Sequence, residues 1–445
     1  MTGLLLALSY CAALLALMGR WRFFSAAPQV SLGTVRMLFV VKVLFGTALW
    51  AVYTYVYPDR NTADIFKYFD DSFHMYKALG ERPLDYVRML FGIGNDTPEF
   101  MQRYYGHMNN WVRQYESNLY NDAHTIIRFN AAVRLFSFGE FHVHTVVAAF
   151  LSTMGSLGIY RIFVNHQLGR ERLLLWCVFL MPSVLFWSSG VIKESLLFFG
   201  LGTLLYQLHK VFSKDRRWYD PLVAFFALGL LFILKFYVLM SLLPALVFYA
   251  VSRKASTAGI LLRAVLVYGV FIGIGLNLQH IVPGSDILGI LTMKQRDFVG
   301  LAQQMNSGSF VMPVLLLPEA KLFAAQAPYA LYITLLGPLV HAGPGPLGLV
   351  SAAENILLIG FVLVCLVFHR PWKKIDHALV IALSGYVIVL ALVIGWTTPV
   401  MGAVVRYRTP LIPFLLILAL CVVDVDRILA SWPRLRRLLG SEPQH

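Results

Sequence analysis

The feature that most limits what this chain can fold into is a succession of apolar runs of about 17 to 25 residues, each long enough to cross about 30 Å of hydrocarbon as a helix. The runs are apolar on every face. A membrane β-barrel would instead alternate in segments of about ten residues, so helices remain as the way to satisfy the backbone in lipid. Only 13% of the 445 residues are charged, about half the share of a soluble domain, which excludes a soluble enzyme. The predicted fold is all-α: a polytopic transmembrane bundle of about eleven spans, near 3 to 19, 37 to 57, 142 to 164, 173 to 190, 195 to 212, 221 to 235, 236 to 252, 261 to 282, 347 to 368, 376 to 396 and 409 to 427.

The net charge of +14 has to be read by position. The connectors after alternate spans and the carboxyl-terminal tail, from Arg20 and Arg22 to Arg436 and Arg437, hold twenty basic and seven acidic side chains, which is +13 of the total. By the positive-inside rule that side is cytoplasmic. The segment 58 to 140 has nine basic and eleven acidic residues, so it and the amino terminus are expected outside the cell inner (cytoplasmic) membrane. The basic excess is then a topology signal facing a lipid bilayer. No basic stripe gathers on one soluble face, so nucleic acid is not an expected partner.

The chain accordingly divides into two first spans at 1–57, an extracytoplasmic acidic and aromatic loop at 58–140, a transmembrane bundle at 141–282, an outer re-entrant or interfacial segment at 283–346, carboxyl-terminal spans at 347–428 and a cytoplasmic basic tail at 429–445. Met-Thr-Gly before the first span lacks a basic n-region, so a retained helix is expected rather than a signal peptide. From 221 to 252 the apolar run is broken only by Lys235, Tyr237 and Pro244, which reads as two short spans turning near Lys235. Cys11, Cys177, Cys365 and Cys421 lie in apolar spans without paired spacing, so no disulfide or metal-thiolate site is implied.

The chemistry gathers on the outer side. If 63 to 79 is helical, Asp64, Lys67, Tyr68 and Asp71 share one face and Asp70 and His74 form the neighbouring stripe. Such carboxylates can serve as a general base, or Asp70 and Asp71 can hold a divalent cation, the one cofactor the sequence suggests. Trp111, Arg113, Asp122 and Arg128 combine a ring suited to a pyranose face with donors and acceptors for hydroxyls or phosphate. His142 and His144, at i and i+2, face different ways and make a poor metal pair. At a turn between helices Lys193 and Glu194 lie side by side, and charges at membrane depth usually face a partner or a cavity. Arg406, Tyr407 and Arg408 lie between two spans on the outer side, where arginines run against the positive-inside preference and a phosphate would give them a role.

The order of these features resembles the GT-C superfamily of polytopic glycosyltransferases, which use polyprenyl-phosphate-linked sugars on the outer membrane face. Asp64 with Tyr68, followed by Asp70 and Asp71, stands where that family has its acidic motif. Phe186 to Glu194 looks like a segment of uncharacterised bacterial glycosyltransferase-like membrane proteins, and Arg406 to Pro413 is similar to an Arg-Tyr, Pro-x-x-Pro element that opens a late helix. The resemblance implies transfer of a sugar from a polyprenyl phosphate to a lipid-linked, glycan or protein acceptor. Asp64 or Asp70 would be the base, Asp71 and Glu194 would orient it or hold a cation, and Arg406, Arg408 and Lys193 would meet the leaving phosphate. The alternatives are a flippase or transporter of lipid-linked saccharide, which needs a charged pathway to the midplane, and an outer-face glycan polymerase or ligase.

Overall fold

The computed structural model describes residues 2–25, 27, 29–57, 59–112, 120–167, 170–343 and 345–431. The protein is 78% helix, with no β-strand among the described residues. Among the described residues seven helices are long and apolar enough to cross a bilayer: Gly3–Arg20, Leu32–Val56, Phe141–His166, Asp220–Ser252, Thr257–Ile281, Pro346–Val367 and His377–Thr397. An eighth is added if Met401–Tyr407 and Ile412–Val422, bent by 61°, form one span. The stretch expected to span 173 to 190 consists of short pieces, Glu171–Leu175, a π-turn at Trp176–Leu180, and Pro182–Trp187. Lys193–Val211 is continuous but has Lys-Glu at one end and His209 and Lys210 at the other, which shortens its apolar part. Residues 220 to 252 run as one helical element that breaks at Lys235, where φ is −150° and ψ is 73°.

Two compact units can be distinguished, one from the described parts of 1–114, 119–165 and 178–236, the other from the described parts of 166–177 and 237–445. In the first, the most extensive helix pair is Phe141–Phe163 with Lys193–Val211. Glycines make their close approach feasible. A Cβ on Gly155 would collide with the Phe198 carbonyl, one on Gly202 with the Gly155 carbonyl, and one on Gly158 would lie 2.6 Å from Gly202 O. Between membrane helices, where water supplies no driving force, such backbone proximity is the main source of attraction.

The segment between the second and third spans is a folded helical layer. It contains Asp64–Glu81, Pro83–Phe91, Pro98–Arg103 and Ala123–Ser137. Prolines at the first turns of the second and third of these suit positions whose N–H groups are unbonded anyway, and the Thr97 hydroxyl caps the third. Tyr68, Met75, Tyr86, Met89, Phe100, Trp111, Ile126 and Ile127 form one buried cluster, joined by Leu196 from Lys193–Val211 and Leu234 from Asp220–Ser252.

In the second unit the apolar stretches of 310–317 and 326–341 differ in structure. The first is extended, with Val311 N donating to Pro399 O at 2.8 Å. Its backbone is satisfied by one amide side chain: Gln295 donates to Val314 O at 3.1 Å and to Trp396 O at 2.9 Å, and accepts from Leu316 N at 2.9 Å. The second forms the helices Ala320–Leu335 and Gly337–Val340. Ala320–Leu335 packs on His377–Thr397, where a Cβ on Gly395 would collide with Ala330 O.

Replacing Gly155 by Val is therefore expected to separate two backbones that nothing else can hold as closely. The cost should be about 1–3 kcal/mol, read as a lowered thermal midpoint in detergent. Unchanged stability would show that the glycine contact is dispensable.

Candidate functional site

The carboxylates of Asp64, Asp70 and Asp71 have different surroundings. Asp70 is held in a bidentate pair with Arg60, Nε to Oδ2 at 2.7 Å and Nη2 to Oδ1 at 2.6 Å, and that guanidinium lies over the Phe66 ring. Asp71 is buried and accepts the backbone N–H groups of Asn109 and Asn110, each at 2.7 Å. Burial pushes its carboxyl above the usual range, and these two bonds work in the opposite direction. Asp71 thus fastens a turn, and its oxygens are directed at backbone. Asp64 is half-buried in the first turn of its helix, one turn before Tyr68. Asp70 and Asp71 thus face different partners, and among the described residues no group of three or more His, Cys, Asp or Glu side chains is placed to hold a metal ion.

Asp122 precedes the helix Ala123–Ser137 but makes no capping hydrogen bond with its side chain. Its carboxylate meets two lysines instead. Lys193 Nζ lies 2.8 Å from Oδ1 and Lys235 Nζ 3.6 Å from Oδ2. The Lys193 ammonium also sits 5.1 Å from the centroid of the Tyr68 ring. Lys193 opens its helix, where the positive end of the helix dipole disfavours a cation. The adjacent buried Glu194 and the facing Asp122 offset that charge. The break at Lys235 belongs to the same arrangement, since Thr125 Oγ1 donates to Ile233 O at 3.4 Å just before it. Lys193, Asp122 and Tyr68 are thus brought together as the sequence could not specify, and Lys235, expected at the turn between two short spans, joins them.

Other expected ligand groups turn out to be internal supports. Trp111 is sandwiched between Tyr105, at 4.3 Å and 9°, and His124, at 3.8 Å and 16°. With both faces covered its ring is closed to a pyranose, which corrects the expected substrate-stacking role. Arg128 donates to Met89 O at 2.9 Å and lies over the same indole. Arg113 lies outside the described residues. His144 is bonded to Ser137 Oγ and Asn130 Oδ1, both at 2.8 Å, a satisfied core histidine. His142 stacks edge-on against Trp50 at 4.8 Å.

In the second unit Arg408 is 2% exposed. Its Nη1 donates to Asn355 Oδ1 at 2.6 Å and Thr334 O at 3.2 Å, and its Nη2 lies 3.9 Å from Glu354 Oε1. That guanidinium ties together three helices and is closed off from a phosphate, which corrects its expected role. Arg406 is nearly buried, with its carbonyl accepting from Thr409 Oγ1 at 2.6 Å. Tyr407 packs edge-on against Phe298.

Lys42 was not singled out by its sequence. It lies within the span Leu32–Val56, is fully buried, and donates to Ser152 Oγ and Ser188 Oγ, both at 2.7 Å, with the Phe198 ring 5.5 Å away. It forms no salt bridge among the described residues. The signal available was its position, as a single charge inside an apolar run.

Asp71→Asn should unfasten the Asn109–Asn110 turn, because an amide nitrogen would face a backbone N–H. The expected loss is about 1–3 kcal/mol with faster hydrogen exchange at those two amides; unchanged exchange would contradict the fastening role. Comparison with protein-family models, with curated proteins and with solved structures finds no match.

Proposed function

We propose that the protein is a glycosyltransferase of the cell inner membrane that moves a sugar from a polyprenyl phosphate to a lipid-linked, glycan or protein acceptor on the outer face. One observation carries the reading: two lysines at interruptions of membrane helices share the Asp122 carboxylate, with Tyr68 against one of them. Asp122 and Tyr68 belong to the acidic outer segment, and the charge alternation of the connectors puts Lys193 and Lys235 at turns on that same side. Their meeting supports eleven spans with the amino terminus outside. Three are then counted beyond the eight above: the broken stretch 171 to 187, Lys193–Val211, and the second half of Asp220–Ser252.

Asp64 is the base in this reading: it stands half-buried in the first turn of its helix, one turn before Tyr68, whose ring lies against the Lys193 ammonium. The acceptor hydroxyl gives its proton to Asp64 as its oxygen bonds to the anomeric carbon. The bond from that carbon to the phosphate oxygen breaks, and the phosphate leaves as an anion that Lys193 and Lys235 meet. In the second unit Arg406 remains a phosphate-binding candidate. The flippase reading has Lys42 in its favour as a charge inside a span, but packing by two serines and a phenyl ring encloses that amine in a core. A polymerase or ligase would use the same outer groups.

In membranes from cells producing each variant, sugar transfer from polyprenyl-phosphate donors should fall by about a hundredfold or more for Asp64→Ala and only a few-fold for Asp70→Ala. Wild-type transfer by the Asp64 variant would sink the mechanism.

A further inference from the structure

A cavity of about 280 Å³ opens beside one face of the Asp64–Glu81 helix, lined by His74, Lys77 and Glu81 from that helix and by Arg103, Tyr104 and His107. It contains none of the residues assigned to sugar transfer. Two imidazoles dominate it: His74 and His107 are nearly parallel, with ring centroids 6.1 Å apart and 20° between planes.

The fixed cations around these rings each have a carboxylate partner. Lys77 Nζ is 3.5 Å from Glu81 Oε1, and Arg103 Nε is 3.2 Å from Glu99 Oε1. The Tyr104 hydroxyl donates to Asp85 Oδ2 at 3.0 Å, so that residue contributes its ring as a wall. With neutral imidazoles Lys77, Glu81 and Arg103 leave the lining with one positive charge, and each protonation adds another. Burial holds His74 below the ordinary imidazole value, followed by the cationic or protonatable groups His107 on the neighbouring turn, Lys77 on its own helix and Arg134 on Ala123–Ser137, while Asp70 acts in the opposite direction. The His74 environment therefore disfavours the charged ring, through burial first and the nearby cations second.

We propose that this pocket is a pH-gated site for a compact oxyanion, either the carboxylate of an acidic sugar or a phosphate ester, held in the cavity beside the two imidazolium rings with Arg103 and Lys77 at the rim. A bound anion offsets the repulsion between the two rings, so binding takes up protons. By linkage, affinity is present at acidic pH and is lost as pH rises through the histidine titration.

The test uses the full-length protein in detergent, titrated calorimetrically with inorganic phosphate and separately with glucuronate at about pH 5.5 and about pH 7.5. At least one anion should bind saturably, about tenfold or more tightly at the lower pH. Binding of glucuronate alone identifies a sugar acid as the ligand, and binding of phosphate alone a phosphate ester. His74→Gln with His107→Gln should abolish the pH dependence, and Arg103→Gln should weaken binding at both values. Because His107 is exposed, His107→Gln alone keeps the test usable if the double variant does not fold, and it should reduce the pH dependence. Absence of saturable binding by either anion at the lower pH, or a pH dependence unaltered in the histidine variants, would overturn the proposal.

Discussion

The carboxylate of Asp122 is the interaction on which the first unit depends. Lys193 and Lys235 are 5% and 6% exposed, so each would otherwise carry the desolvation cost of an ammonium with little return. Asp122 also stands at the start of Ala123–Ser137, where a negative charge complements the helix dipole. One side chain therefore serves three positive ends: two ammonium groups and the amino terminus of its own helix. It couples the helical layer of 64–137 to the helices Lys193–Val211 and Asp220–Ser252, and neither lysine position is reasonable without it.

The helical layer between the second and third spans is held by its own polar side chains. Tyr105, Trp111 and His124 stack in sequence. Asn121 Nδ2 bonds the carbonyls of Asn110 and Trp111 at 2.8 and 2.9 Å, and Asp71 takes the amides of Asn109 and Asn110. Side chains suited to a sugar are used instead to fix the backbone that surrounds Asp122. The hydrogen-bonding power of the loop is thus invested in placing a small number of charges.

The apolar runs made the helical membrane character legible, because a long run must satisfy its own backbone in lipid. Asp64 to Asp71 were legible as a helix from their spacing, as were the unusual charges Lys193 and Arg406 from their positions. Which groups would be consumed internally was not legible. Trp111 depends on rings that precede and follow it in a loop, and Arg408 on Glu354 and Asn355 more than fifty residues upstream. Asp70 and Asp71 are adjacent in sequence, yet one faces Arg60 and the other two backbone amides. After the inner connectors and outer loop are counted, the remaining charges include Lys42 and Glu354, and both prove to be buried within helices. Periodicity does not distinguish a side chain with a partner from one without, because the partner is chosen by tertiary packing.

Lys42 has a consequence for how the protein is made. Its two hydroxyl partners lie 110 and 146 residues further along the chain. When the span Leu32–Val56 leaves the ribosome, neither Ser152 nor Ser188 has been synthesised. An amine without partners at the centre of a span opposes insertion by about 2.5–3.5 kcal/mol. The second helix to enter the bilayer is therefore under-stabilised until the helix Phe141–Phe163 and the turn at Ser188 arrive beside it. Assembly of this unit has a built-in order in time, in which an early segment waits for late ones to complete its solvation.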